Sequence, residues 1–425
     1  MVPIGDQAMG TVKRTPGWAL LALALVLLPS LAAARAPAPE DDPKLKEKAL
    51  SLNKITGDEA EADKIKELIK DEANTKKLLA VASNMAKEKK QPFNTTATLV
   101  LARVAEVLKE PDIAEQFYRL NVAQAEKIGG KKLILGYAGL ISVLYNNKKY
   151  AEAEKACHAF LEGEQDDTTK QFAPRIERQM ILAVVMQKDA DRALKMIDTR
   201  VKDNSDNWNL LKFKAQIQHQ LDKNDDALKT YEQVGEKIKK DDRLTKGEQE
   251  KFLDDLLYEQ TGIYVDKNDI KKATDILEKL LEKHPDDPTY NNDLGFILAD
   301  HDMRLEESEK MIRKALEEDK KKRKANPDLQ PDEDKDNAAY LDSLGWVLFK
   351  QKKYKEAKPY LVDALKDEDG QHVEIFDHLG DVQMALGEKK EAIQTYKKGI
   401  EAAGPSKREQ ERKAMIEKKL KDLEK

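Results

Sequence analysis

The sequence predicts an all-α protein assembled from stacked antiparallel helix pairs. Three observations lead there. The 425 residues are 36% charged and only 6% aromatic, with 19 glycines and 15 prolines. Such a Lys/Glu/Ala/Leu-rich chain with few breakers favours helix, and it disfavours a β-sandwich, which needs turns and β-branched or aromatic strand residues. Along most of the chain a frame residue, most often Gly or Ala, is followed 12 residues later by an alanine. Large apolar residues then recur three to four positions beyond that alanine, the spacing of one helix face.

Residues 1–34 stand apart. Lys13 and Arg14 precede an apolar run from Trp18 to Leu28, and Leu31-Ala32-Ala33-Ala34 follows. A basic region, a short apolar core and small residues at the end have the order of a secretory signal peptide. Cleavage is expected after Ala34, giving a periplasmic or secreted protein with no membrane span. The alternative is an uncleaved anchor, lengthened by the alanine stretch, that holds the chain at a membrane. Residues 35–43 read as a disordered, proline-rich spacer. Residues 44–92 read as an N-terminal helical segment without a repeat frame, with Ile65, Leu68, Ile69 and then Leu78, Leu79, Ala82, Met85 at helical spacing.

The repeat frame begins near residue 93. It pairs Ala102 with Ala114, Ile141 with Ala153, Ile181 with Ala193, Ala215 with Ala227, Thr261 with Ala273, Gly345 with Ala357 and Gly380 with Ala392. Gly295 leads to Ser308 with one extra residue. The physical reason is helix crossing: two antiparallel helices approach closely only where small residues meet, while large neighbours fill the flanking holes. At Gly345 or Gly380, leucine is therefore expected to overpack the crossing and alanine to be mild. Residues 93–235 carry the frame in degenerate form and 254–400 carry it clearly. Charged insertions near 236–252 and at 319–337 lengthen two intervals, and residues 405–425 form a C-terminal capping helix with Ile416, Leu420 and Leu423 as its apolar stripe.

The stretches LDSLGWVLFKQKKYKEAKPYLVDAL and FDHLGDVQMALGEKKEAIQTYKKGI resemble the tetratricopeptide repeat (TPR) family, most of all its exported bacterial members. The resemblance implies a right-handed α-solenoid whose first helices line a concave groove. Mapped onto this chain, the positions flanking the small residue that would face the groove are Asn292, Phe296, Asp342, Trp346, Phe349, Asp377, Asp381 and Met384. Aromatic groups beside acids suit a peptide with apolar and basic side chains, with Trp346 as a partly exposed anchor. The competing reading is that Phe296, Trp346 and Phe349 pack against a neighbouring repeat. The lysine and asparagine set of a carboxylate-clamp domain is absent.

Other chemistry is poorly supported. With 75 basic and 80 acidic residues the net charge is −5, which offers no field for nucleic acid. Lys320 to Lys324 form a basic run, but acids follow from Asp328 to Asp336 and the segment is balanced. A single cysteine, Cys157, excludes an internal disulfide framework and a thiolate zinc cage. Adjacent helical residues diverge by about 100°, so Cys157 and His158 do not make a nucleophile pair. No histidines stand at metal spacing; His378 beside Asp377 and Asp381 is the one weak candidate. Gly129-Gly130 and Gly136 to Gly139 match no phosphate loop. No cofactor or metal is expected. The sequence points to a non-enzymatic exported scaffold or adaptor that binds protein partners in the cell envelope. A self-associating structural protein and an enzyme with an unrecognised site are the alternatives.

Overall fold

A computed structural model of the chain describes residues 42–88, 92–327, 329, 334–404 and 406–423. The expected export signal lies outside these residues. Among them there are twenty α-helices and no strand, so the all-α expectation holds. The chain divides into two compact units that meet near Lys321 and Lys322, and each is described by itself.

The first unit opens with α1 (Pro43–Ser51), α2 (Asp58–Ile69) and α3 (Glu72–Met85). Pro43, assigned to the spacer above, is in fact the first residue of α1, and Asp42 caps it through Lys44 N. Leu52, Leu68, Leu78 and Leu79 bury here. Six helix pairs follow: α4 (Thr95–Val107) with α5 (Pro111–Ala125), α6 (Gly130–Asn146) with α7 (Tyr150–Glu162), and α8 (Asp167–Met186) with α9 (Ala190–Asp203). Next come α10 (Trp208–Gln220) with α11 (Asn224–Lys239), α12 (Lys246–Asp266) with α13 (Ile270–Lys283), and α14 (Pro288–Asp300) with α15 (Leu305–Lys324). In the second unit α16 (Ala338–Lys350) pairs with α17 (Tyr354–Ala364) and α18 (Val373–Ala385) with α19 (Lys389–Ala402); α20 (Lys407–Leu423) ends the described chain.

The small residues do sit at the crossings. Ala102, Ala114, Ala153, Ala193, Ala215, Ala227, Ala273, Ser308, Ala357 and Ala392 have no exposed surface. Cys157 is likewise buried in a core slot, and burial, then the charge of Glu154, pushes its thiol up to about 12, so it is an unreactive packing residue. The Asn94-Thr95-Thr96 sequon is used structurally: Asn94 caps α4 through Ala97 N at 2.9 Å and donates its amide to Asn53 O.

The turn inside each pair is one device repeated eight times. One residue adopts a left-handed conformation, at Lys109, Lys148, Lys188, Asp222, Asn268, Asp302, Lys352 and Gly387. The next N–H then reaches back five residues, as in Lys149 N to Leu144 O and Lys353 N to Leu348 O, both 2.9 Å. Such closure satisfies carbonyls left open at a helix end. A second such residue, Arg304 at φ 46°, absorbs the extra position between Gly295 and Ser308. Side chains strain this conformation by about 1–2 kcal/mol, whereas glycine's larger unfolded freedom costs about 0.5–1 kcal/mol. Lys148→Gly is therefore expected to stabilise by about 0.5–1 kcal/mol, read as a higher urea midpoint; a lower midpoint would show that the lysine holds the turn.

The 236–252 insertion is largely helix, whereas in 319–337 only the described residues up to Lys324 are helical. Residues 236–252 extend α11 and begin α12, whose start is fixed by a capping box between Thr245 and Glu248. In the 319–337 segment the basic run continues α15, and Arg323 is drawn in to pair with Asp336 at 2.7 Å.

Candidate functional site

The predicted site residues fall in both units. Asn292 and Phe296 lie on α14 in the first unit. Asn292 is buried and donates to Asp293 Oδ1 at 3.1 Å, and Phe296 is half-buried. The other six lie in the second unit, on α16 and α18, the first helices of their pairs.

Gly345 and Gly380 bring each pair together. A Cβ built at Gly345 would stand 2.5 Å from Leu361 Cγ, and one at Gly380 would stand 2.3 Å from Tyr396 Cε1. With that crossing fixed, the flanking residues of α16 turn toward α18. Trp346 is 8% exposed and stacks on the ring of His378, centroids 4.0 Å apart and planes 14° apart. Phe349 also stacks on Trp346, with centroids 5.0 Å apart, and is half-buried. Asp342, 6% exposed, bonds His378 Nδ1 at 2.8 Å. The expected exposure of Trp346 is therefore corrected: the ring fills the space between two first helices, because His378 supplies a flat partner there.

On α18 the same positions face α20. Asp377, 1% exposed, takes Lys419 Nζ at 2.6 Å and Arg412 Nη1 at 3.3 Å. Asp381 takes Lys419 at 2.7 and 2.8 Å and the Tyr396 hydroxyl at 2.6 Å. Glu374, one turn earlier, pairs with Arg408 and Arg412. Met384 packs against the apolar cluster of Val373, Ala392, Tyr396, Ile416 and Leu420. Asp377 and Asp381 thus receive the cations of a basic amphipathic helix, α20, that belongs to the chain itself.

The electrostatics follow from this seam. Burial favours the neutral acid at Glu374, yet the charges of Arg408, His378 and Arg412 outweigh it and hold the group at about 2. Burial also disfavours charge on His378, but Asp342, by charge and hydrogen bond, and Glu374 shift it upward. Glu409 is kept at about 2: burial opposes this, and hydrogen bonds from His372 and Ser406 prevail. The signs oppose each other. A carboxylate depressed in the fold stabilises above its unfolded value, about 4.3, and loses that contribution as pH falls toward 2. A raised histidine stabilises below about 6.5 and loses it as pH climbs through the folded value. Melting temperature is thus expected to fall on both flanks, and His378→Gln is expected to flatten the alkaline flank and, by removing one of the charges that depress Glu374, to soften the acid flank as well. Equal alkaline slopes in a pH series of thermal melts would contradict the His378 pairing.

Helix α20 is thinly seated. Of its 17 residues only Glu409, Ile416 and Leu420 are buried. Two aliphatic side chains contribute about 1.5–3 kcal/mol each, against an ordering cost of about 1–2 kcal/mol per residue. Its own helical hydrogen bonds and the ion-pair seam must supply the rest.

Missing from the expected site are His378, Glu374, Tyr396, Arg412 and Lys419. The repeat offset held the signal: the partner of Asp342 is the residue just after its own equivalent, Asp377, in the following repeat. Among the described residues no group of three or more histidine, cysteine, aspartate or glutamate side chains is placed to hold a metal. No described helix is long and apolar enough to cross a membrane.

Stacked helix pairs closed by small residues, with first helices joined edge to edge by polar side chains, define the α-solenoid class of repeat proteins. Residues 343–407 match the model of the tetratricopeptide repeat family. It is 32% identical over 111 residues to a TPR repeat-containing protein of Pseudomonas aeruginosa, a match covering 26% of this chain and 16% of that one. The chain thus spans about a sixth of that relative's length. Among solved structures it is similar to a tetratricopeptide repeat protein from Parabacteroides merdae, with 14% identity, TM-score 0.44, and coverage of 68% of this chain and 98% of the other. It is also similar to MamA from Desulfovibrio magneticus, with 15% identity, TM-score 0.32, and coverage of 46% and 96%.

Proposed function

We propose that this protein is a non-enzymatic scaffold that acts outside the cytoplasm and binds protein partners along the first helices of its repeats. Tetratricopeptide repeats mediate protein–protein interaction. The observation that carries it is the face of α18, where Glu374, Asp377 and Asp381 border an apolar floor and receive the cations and the Ile416–Leu420 stripe of a helix. A face that accepts one basic amphipathic helix has the chemistry to accept another. The order of basic, apolar and small residues in 1–34 supports export.

Site-specific photo-crosslinking in the native host tests the reading. Adducts are expected from crosslinkers at Met384 and Phe349, and not from one at Val362, an exposed position on α17. Adducts at Val362 alone would overturn the assignment of the face. N-terminal sequencing of native material is expected to begin near Arg35; a chain recovered from membranes with Trp18–Leu28 attached would overturn export.

A further inference from the structure

We propose that α20 is a detachable intramolecular occupant, and that its seat on α18 and α19 is the docking surface for a partner helix with the same basic and apolar pattern. This rests on the scaffold reading and names its partner class. The required pattern is read directly from α20: cations at Arg412 and Lys419, seven residues apart, bracket Ile416, and Leu420 and Leu423 continue the apolar stripe. Two turns of helix separate the cations, which places both on Asp377, while Lys419 also bridges to Asp381. The stripe lies on Val373, Ala392 and Tyr396.

Three observations make the occupant detachable. Most of α20 is charged and solvated, with only Ile416 and Leu420 as buried apolar anchors. Its remaining hold is the His372–Glu409 contact and a set of ion pairs whose cations Arg408, Lys419 and Arg412 are 62%, 30% and 17% exposed, and exposed charges are weakened by salt. Only four residues of sequence, 403–406, separate it from α19. Elements with few buried contacts open locally, ahead of the body that carries them. When α20 leaves, the three carboxylates and the apolar floor face solvent together.

The test uses the full chain and a labelled peptide of residues 406–423 as the probe helix. The closed occupant lowers apparent affinity by the fraction of open seat. The double variant Arg412→Glu/Lys419→Glu is therefore expected to bind the peptide at least about tenfold tighter than the wild type, with affinity falling as salt rises. Adding Asp377→Lys is expected to abolish it. Equal affinity for wild type and double variant, or no binding to a double variant that keeps its helical signal and melting point, overturns the proposal. Hydrogen exchange on the unmodified chain covers the case in which the variant unfolds. Amides of α20 are expected to be protected at least about tenfold less than those of α18, and identical protection overturns detachment. If crosslinks form at Met384 while peptide affinity ignores α20, the scaffold reading stands and this proposal falls.

Discussion

Trp346→Ala is expected to destabilise the protein by about 3–5 kcal/mol, the range for deleting a large buried aromatic side chain. The ring is almost wholly enclosed, lies flat on His378 at 4.0 Å and carries Phe349 on the same stack. Removing it strips one partner from the Asp342–His378 pair's surroundings and leaves a void between α16 and α18 that Phe349 cannot fill from its own turn. A groove-lining tryptophan would behave oppositely, with stability kept and partner affinity reduced by about 2 kcal/mol or more. Chemical denaturation of Trp346→Ala and Trp346→Phe distinguishes the two, since phenylalanine restores stacking area. An unchanged midpoint in the alanine variant would return Trp346 to the surface.

Gly380→Ala is expected to cost about 1–3 kcal/mol, the usual range for overpacking a well-filled site. Helix propensity alone favours alanine by about 1 kcal/mol, which is why the substitution reads as mild from sequence. The geometry overrides propensity. The new methyl would sit 2.3 Å from Cε1 and 2.7 Å from Cζ of Tyr396. That ring is buried, and its hydroxyl is tied to Asp381, which also holds Lys419. Moving the ring therefore disturbs the seat of α20 as well as the crossing. Gly345→Ala meets the branched end of Leu361 instead, and the same measurement is expected to give a smaller loss there. A Gly380→Ala protein that melts at or above the wild-type temperature would show that Tyr396 has room to yield.

Much of the fold was legible because helix crossings impose a composition rule. Gly or Ala at the contact, with Leu, Ile or Tyr three to four positions on, leaves a pattern that survives degenerate repeats. The turns were less legible. Seven of the eight shared left-handed positions are Lys, Asp or Asn, and a lysine there gives no signal, since a backbone N–H bond five residues back rather than the side chain fixes it. The site was half legible. The acids at Asp377 and Asp381 and their preference for a basic, apolar helix follow from residue type. Their partners are 35 to 42 positions away in Arg412 and Lys419, beyond any local periodicity. Trp346 was assigned outward because it follows a small residue, yet in a stack the direction away from one crossing is the direction of the next first helix.

The claim that these inner-face side chains already bind the following helix is tested most directly by a double-mutant cycle between Asp377 and Lys419. Unfolding free energies of Asp377→Ala, Lys419→Ala and the pair are to be measured by urea denaturation. Groups in direct contact couple by about 0.5–3 kcal/mol, and a coupling in that range is the predicted result, the double variant losing less than the sum of the single losses. Single effects that add to within about 0.3–0.5 kcal/mol would mean that α20 is not held on Asp377, and would contradict the account.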